Sequence, residues 1–421
     1  MFHHTFRALQ HRNFRLFFIG QIISWVGTWM QQVALGWLAY RLSGSPFVLG
    51  LVTFAAQSPT FFLSPFTGTV VDHFNRHKLV IVTQSLAMLQ AFTLAYLTLT
   101  HQVQIWHLIC LGIFIGCVNA FDMPGRQSFM VQMVDRKEDL PNAIALNSSL
   151  VNAARLIGPT VAGFVISLVG EGFCFAINGA SYTAVIAALC LMRVPRLVIE
   201  RRPNVHAMEH LLEGWRYAFG SAPIRSLILL LAWVAFIGQP FTVLMPVFAK
   251  RIFHGGAETL GFLMCASGVG SLAGAMYLAS RKEIPGLGRL CLWATIIFGV
   301  GLIALGLASN AFVAMFILLF VGYGMMVQLA ATNMILQTIT DEDKRGRVMS
   351  LYTMAFMTTP FGALLEGWIA DRFGTPGVTV LSGVLTLAGA ILFALVLPKI
   401  RGEVWRIYET KGIKVKLPLA D

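Results

Sequence analysis

Apolar segments long enough to cross a membrane recur along the whole chain, and no other feature narrows its fold so far. A spanning helix needs about 20 predominantly apolar residues. Twelve such stretches can be cut, at 15–40, 47–71, 78–100, 105–132, 142–168, 173–194, 224–249, 258–280, 289–308, 311–337, 347–370 and 375–397. Only 12% of the 421 residues are charged, about half the share of a soluble domain. Lipid must therefore cover much of the surface. The expected class is an all-α membrane protein with 12 transmembrane helices.

The formal charge of +12 does not point to nucleic acid. The basic residues sit in short runs between apolar stretches, with no basic face carrying interleaved aromatics. Placing the N-terminus inside puts Arg7, Arg12, Arg15, Arg76, Lys78, Arg136, Lys137, Arg193, Arg201, Arg202, Arg281, Lys344, Arg345 and Arg347 on the cytoplasmic side. Only Arg41, Lys250, Arg251 and Arg372 then fall outside. That bias predicts both termini in the cytoplasm. Met1–Arg15 is polar and basic and precedes a long apolar stretch, so a retained first helix is expected rather than a cleaved leader. The six cysteines all lie in apolar segments and form no CxxC pair. They read as packing residues, and no metal or redox centre is expected.

The longest polar stretch, 195–223, divides the chain. The expected domains are an N-terminal six-helix bundle at 1–194, a cytoplasmic linker at 195–223, a C-terminal six-helix bundle at 224–398 and a cytoplasmic tail at 399–421. Within the linker Leu211, Leu212, Trp215 and Phe219 recur at helical spacing, which predicts an amphipathic helix at the membrane surface. The halves echo each other. A shift of 204 places Gly158, Gly163 and Gly170 on Gly362, Gly367 and Gly374, and a shift of 206 places Gly68 on Gly274 and Gly116 on Gly322. Parallel repeats with a substrate site between them are one transporter plan.

No phosphate-binding GxxxxGK[ST], HExxH or GxSxG stretch occurs. An enzyme is therefore not expected, nor ATP as an energy source. Between the second and third spans runs Gly68-Thr-Val-Val-Asp72-His73-Phe-Asn75-Arg76-His77-Lys78. Gly68 allows close helix approach, Asp72 lies at the membrane edge, and Arg76 and Lys78 anchor the cytoplasmic surface. This run resembles the signature loop of the major facilitator superfamily, G-x-x-x-D-R-x-G-R-R. Gly68, Asp72, Arg76 and Lys78 match, while His73 stands for an Arg and Asn75 for a Gly. The resemblance implies two pseudo-symmetric six-helix bundles and a loop that gates the cytoplasmic side. The runs AFDMPGRQSF, DLPNAIALNSSLVNAARLIGPTVAG and GEGFCFAINGASY within 119–192 resemble the enterobactin-exporter-like, macrolide-efflux-like branch. Gly158-Pro159 resembles the antiporter motif of drug:proton exchangers; it also reads as a packing kink, since Pro159 removes a backbone donor.

Charges inside a membrane are costly and usually functional. Asp122 and Arg126, Arg155, and Glu366 fall in the fourth, fifth and eleventh stretches. Asp122 and Arg126 are four apart, share a helical face and can pair, as a coupling device or as a structural ion pair. Glu366 either carries a proton or faces water. Gln21, Ser24, Thr28 and Gln31 form a polar stripe on the first span beside Trp25. With Asn119, Gln239, Gln328 and Asn333, the stripe gives the candidate substrate cavity. Gln239-Pro240 marks a break in the seventh span, and Gln328 aligns with Asp122 under the 206 shift.

These readings converge on a secondary active transporter, a proton-coupled exporter of a siderophore, drug or other medium-sized amphipathic compound. An importer, an uncoupled facilitator and a non-transporting receptor or lipid-handling protein on the same scaffold remain the alternatives. The proton gradient replaces any cofactor. The expected partners are a small-molecule substrate and membrane lipids, with no nucleic acid. The expected setting is a monomer in a bacterial inner membrane.

Overall fold

The computed structural model describes residues 6–194, 207–281 and 286–410. Among them every regular element is helical. Six long helices come first: α1 (Arg12–Ser43), α2 (Pro46–His73), α3 (Arg76–Leu99), α4 (Ile105–Met130), α5 (Leu140–Val169) and α6 (Glu171–Leu191). A linker helix, Ala207–Gly220, follows. Then come α7 (Ala222–Ile252), α8 (Ala257–Ser280), α9 (Leu287–Gly306), α10 (Ala311–Ile339), α11 (Arg345–Phe373) and α12 (Thr375–Thr410).

Eleven of these twelve helices are long and apolar enough to cross a membrane. The exception is α1, whose 32 residues are ample in length. Its apolar character is diluted by the stripe of Gln21, Ser24, Thr28, Gln31 and Gln32.

Helix termini follow local chemistry. Gly44 ends α1 in the left-handed region at φ 64, and Pro46 opens α2, where its missing N–H costs nothing. Asn75 caps α3, its side chain accepting from the Lys78 N–H at 3.1 Å. The glycine expected there by resemblance is thus replaced by a capping residue. Helix α7 is not continuous. A π-helical turn at Val234–Gly238 and a 3-10 turn at Gln239–Thr242 interrupt it. Pro240 supplies no N–H for a regular turn, as the Gln239-Pro240 step predicts.

The internal repeat is visible in specific contacts. Thr60 on α2 donates to the Gly116 carbonyl on α4 at 3.0 Å, and Ser271 on α8 donates to the Gly322 carbonyl on α10 at 3.2 Å. Gly170 and Gly374 take matching positive φ values, 90 and 83, at the turns into α6 and α12. His11 contacts Asp135 at 3.0 Å, and the Tyr217 hydroxyl donates to Asp341 at 3.1 Å. Residues 11 and 217, like 135 and 341, differ by 206. In each half the segment before the first span therefore pins the charged loop that precedes the fifth.

By their contacts the residues group into two compact units, Met1–Ala207 with Val243–Cys265 and Met208–Thr242 with Ala266–Asp421. The boundaries fall at the start of the linker helix, at the break in α7 and within α8. In the first unit Gly36 of α1 faces Pro246, and Lys250 lies over the rings of Trp37 and Tyr40 at 5.9 and 6.0 Å. Gly163 of α5 meets Ala257 and Gly261 backbone at 2.8 and 3.1 Å from where its Cβ would stand. In the second unit the linker helix is held by Glu213, which pairs with Lys344 at 2.9 Å and with Arg347. The side chains of Leu211 and Leu212 lie outside the described residues.

Candidate functional site

Helix α1 supplies the floor of the first unit's polar cluster. Its stripe divides by depth. Gln31 donates to Gln90 at 3.0 Å and accepts from Asn178 at 2.8 Å, so this part of the stripe binds α1 to α3 and α6. Gln21 and Ser24 are buried, and Thr28 donates back to the Ser24 carbonyl at 2.9 Å.

Asp122 and Arg126 meet on α4 as their spacing requires. The Arg126 Nε lies 2.7 Å from one Asp122 oxygen. The other oxygen accepts from Thr83 at 2.7 Å and Gln84 at 2.9 Å, both on α3. Asp122 is only 2% exposed, and its carboxylate is satisfied on both sides. Arg126 also reaches the Gln21 carbonyl oxygen at 3.5 Å and stands over the Trp25 ring at 4.8 Å.

Arg155, on α5, is half-buried and stands over the Trp29 ring at 5.6 Å. Among the described residues no carboxylate pairs with it. Gly158 lets α5 close on α1, since a Cβ there would meet the Trp29 side chain and the Val26 carbonyl. Pro159 is buried one residue on.

In the second unit Glu366 is 5% exposed. Ser382 of α12 donates to its Oε1, while Oε2 has no partner. One turn earlier Gly362 packs against the Phe236 carbonyl and the Pro240 ring, so α11 seats on the break in α7. Gln239 is buried in that break with its Nε2 unpaired. Gln328 is fully buried and reaches Thr332 at 3.5 Å. Asn333 accepts from Gln337 at 2.6 Å, and Asn119 is exposed.

The signature loop is described in part. Arg76 donates to the Ser128 carbonyl of α4 at 3.5 Å, and Lys78 is exposed. Gly68 and Asp72 lie on α2, but the contacts of Gly68 and the side chain of Asp72 fall outside what is described.

Several residues here carry no signal on their own helix. Thr83, Gln84 and Ser382 are ordinary small polar residues until a neighbouring helix presents a carboxylate. The same is true of His11, which is buried between Asp135 and Asp139 at 3.0 Å from each. Arg7 joins Asp139 at 3.6 Å. Burial opposes a charge on the His11 ring, but the two carboxylates outweigh it and hold the pKa above the ordinary histidine value. A raised folded-state pKa stabilises fully below about 6.5 and is lost as pH rises through the raised value. The melting temperature of the wild type should thus exceed that of His11→Gln most at acid pH, and the gap should close above neutrality. A gap independent of pH would count against this tether.

A model for the transmembrane secretion effector family matches residues 3–407. The chain belongs to that family. It is 24% identical over 391 residues to the staphyloferrin A transporter of Staphylococcus aureus (strain NCTC 8325 / PS 47), covering 92% of this chain and 97% of that one. It is 24% identical over 392 residues to the enterobactin exporter EntS of Shigella boydii serotype 4 (strain Sb227), covering 93% of each. A solved bacterial homologue of the human lysosomal transporter Spinster, in an inward-facing state, superposes with a TM-score of 0.66 at 14% identity, covering 97% of this chain and 99% of that one. This secretion effector thus has the major facilitator fold and is a multi-pass membrane transporter of small molecules. The resemblance carried by the loop at 68–78 and the runs within 119–192 holds.

Proposed function

We propose that this protein is a proton-coupled exporter of a siderophore or another medium-sized amphipathic compound, working by alternating access. It would sit in a bacterial inner membrane with both termini cytoplasmic, as the Lys and Arg distribution favours. The observation that carries the coupling is Glu366. It is a buried carboxyl with a single hydrogen-bond donor, a free second oxygen and no ion pair among the described residues. Such a group can exist neutral in a membrane and give up its proton when water reaches it. Asp122 is less suited, because three donors already hold its charge. The siderophore reading rests on the staphyloferrin A and enterobactin transporters among the relatives.

Inside-out vesicles loaded with the protein test both claims. A radiolabelled siderophore should accumulate when respiration acidifies the interior, and accumulation should collapse with a protonophore. Glu366→Gln should abolish gradient-driven accumulation while leaving exchange of labelled for unlabelled cargo intact. Full gradient-driven accumulation in that variant would remove Glu366 as the proton site. Accumulation only in right-side-out vesicles would reverse the direction.

A further inference from the structure

Two tryptophans one turn apart on α1 each carry a guanidinium. Trp25 lies under Arg126 at 4.8 Å and Trp29 under Arg155 at 5.6 Å. The first assembly is complete, because Asp122 closes on Arg126 at 2.7 Å. The second has the same aromatic floor and the same cation but no carboxylate among the described residues.

Buried donors along α1 also lack acceptors. Gln21 Nε2, Trp25 Nε1 and Trp29 Nε1 are buried donors without an acceptor. Gln21 is 1% exposed, and its amide oxygen is already engaged by Arg126. A buried donor left unpaired is costly, and three on one helix face call for acceptor atoms from elsewhere. The charges agree. Asp122 balances Arg126, while among the described residues no carboxylate balances Arg155. Glu171, at the start of α6, is bound to Arg41 at 2.7 Å, and Glu258, in the first turn of α8, accepts from the Gly256 N–H at 3.2 Å.

We propose that Arg155, with Trp29 and its unpaired indole N–H, binds a carboxylate group of the transported compound. The proposal rests on reading the chain as a transporter and names the chemistry its cargo must carry. A carboxylate is planar, matches the guanidinium fork and supplies up to four acceptor sites. Its single charge equals the charge left over. A cationic compound would meet a like charge, and a neutral one would leave Arg155 unbalanced. Gly158 acts as the positioning residue. It lies three residues after Arg155, on the same face of α5, and its missing side chain lets Trp29 approach beneath the guanidinium.

Three probes with one hydrophobic body and different charge test this: phenylbutyrate, phenylbutyramide and phenylbutylamine. Binding is read as saturable quenching of tryptophan fluorescence by the full-length protein in lipid nanodiscs, with no proton gradient. Phenylbutyrate should bind at neutral pH, and the amide and amine should bind about tenfold or more weakly, the scale of one charge-assisted pair. Arg155→Gln should weaken phenylbutyrate to the level of the amide, and Arg155→Lys should restore part of the difference. Melting curves of both variants separate loss of fold from loss of the site. Equal binding of the acid and the amide would overturn the proposal. So would Arg155→Gln binding phenylbutyrate as the wild type does, or no saturable binding of the acid to the wild type. Because no gradient is present, failure of the proton-coupling reading would leave a positive binding result standing. Failure here would likewise leave gradient-driven export in vesicles untouched.

Discussion

Arg126→Ala should sharply reduce the amount of folded protein in the membrane. The substitution leaves Asp122 buried, 2% exposed, with Thr83 and Gln84 as its remaining donors and no countercharge. Breaking a buried pair by removing one partner costs about 3–5 kcal/mol, against a total stability of about 5–15 kcal/mol for a typical fold. Removing both charges should be milder. Asp122→Asn with Arg126→Gln keeps atoms able to hydrogen-bond Thr83 and Gln84 and strands no charge. Membrane abundance and melting temperature, followed by fluorescence-detected size exclusion, distinguish the cases. The double variant should melt above Arg126→Ala. Equal melting temperatures would mean that the pair is not energetically coupled. Arg126→Lys should fall between, since it keeps the charge but loses the planar contact with Trp25 at 4.8 Å.

Gly322→Ala should be nearly as damaging, for a steric reason. A methyl group at 322 would run into the Ser267 carbonyl of α8, and one at Gly270 would run into the Leu319 carbonyl of α10. The two backbones lie against each other through these glycines. No rotamer change relieves a clash with backbone, so the helices must separate. Separation also breaks the 3.2 Å hydrogen bond from Ser271 to Gly322. Overpacking typically costs about 1–3 kcal/mol, and packing is what holds membrane helices together. The equivalent Gly116→Ala should be milder, because a Cβ at 116 stands 2.6 Å from the Ala56 carbonyl. Gly377→Ala is the control, since nothing lies within 4 Å of a Cβ there. The expected order of melting temperatures is Gly377→Ala, then Gly116→Ala, then Gly322→Ala. Equal values for Gly377→Ala and Gly322→Ala would refute the close approach.

The helices themselves, their number and the repeat were legible in the sequence, with physical causes. Twenty apolar residues can satisfy their backbone in lipid only as a helix. The Asp122–Arg126 pair follows from a spacing of four on one helix. The break in α7 follows from Pro240, and the coincident glycines at 116 and 322 marked the repeat. The apolar character of α1 was overestimated, because its polar stripe is paid for by hydrogen bonds to α3 and α6 that no single helix reveals.

What tertiary structure alone decided is which partner each buried group found. Thr83 and Gln84 precede Asp122 by 39 and 38 positions, and His11 precedes Asp135 by 124. Among the described residues Arg155 found a tryptophan and no acid, and Glu366 found one serine. Periodicity determines the face of a helix on which a residue lies, so the sequence by itself determined the spans, the repeat and the pairs within one helix. The rotation and depth of a neighbouring helix depend on the packing of many side chains at once. That is why a satisfied charge at Asp122 could be told from an incomplete one at Arg155 only in the folded molecule.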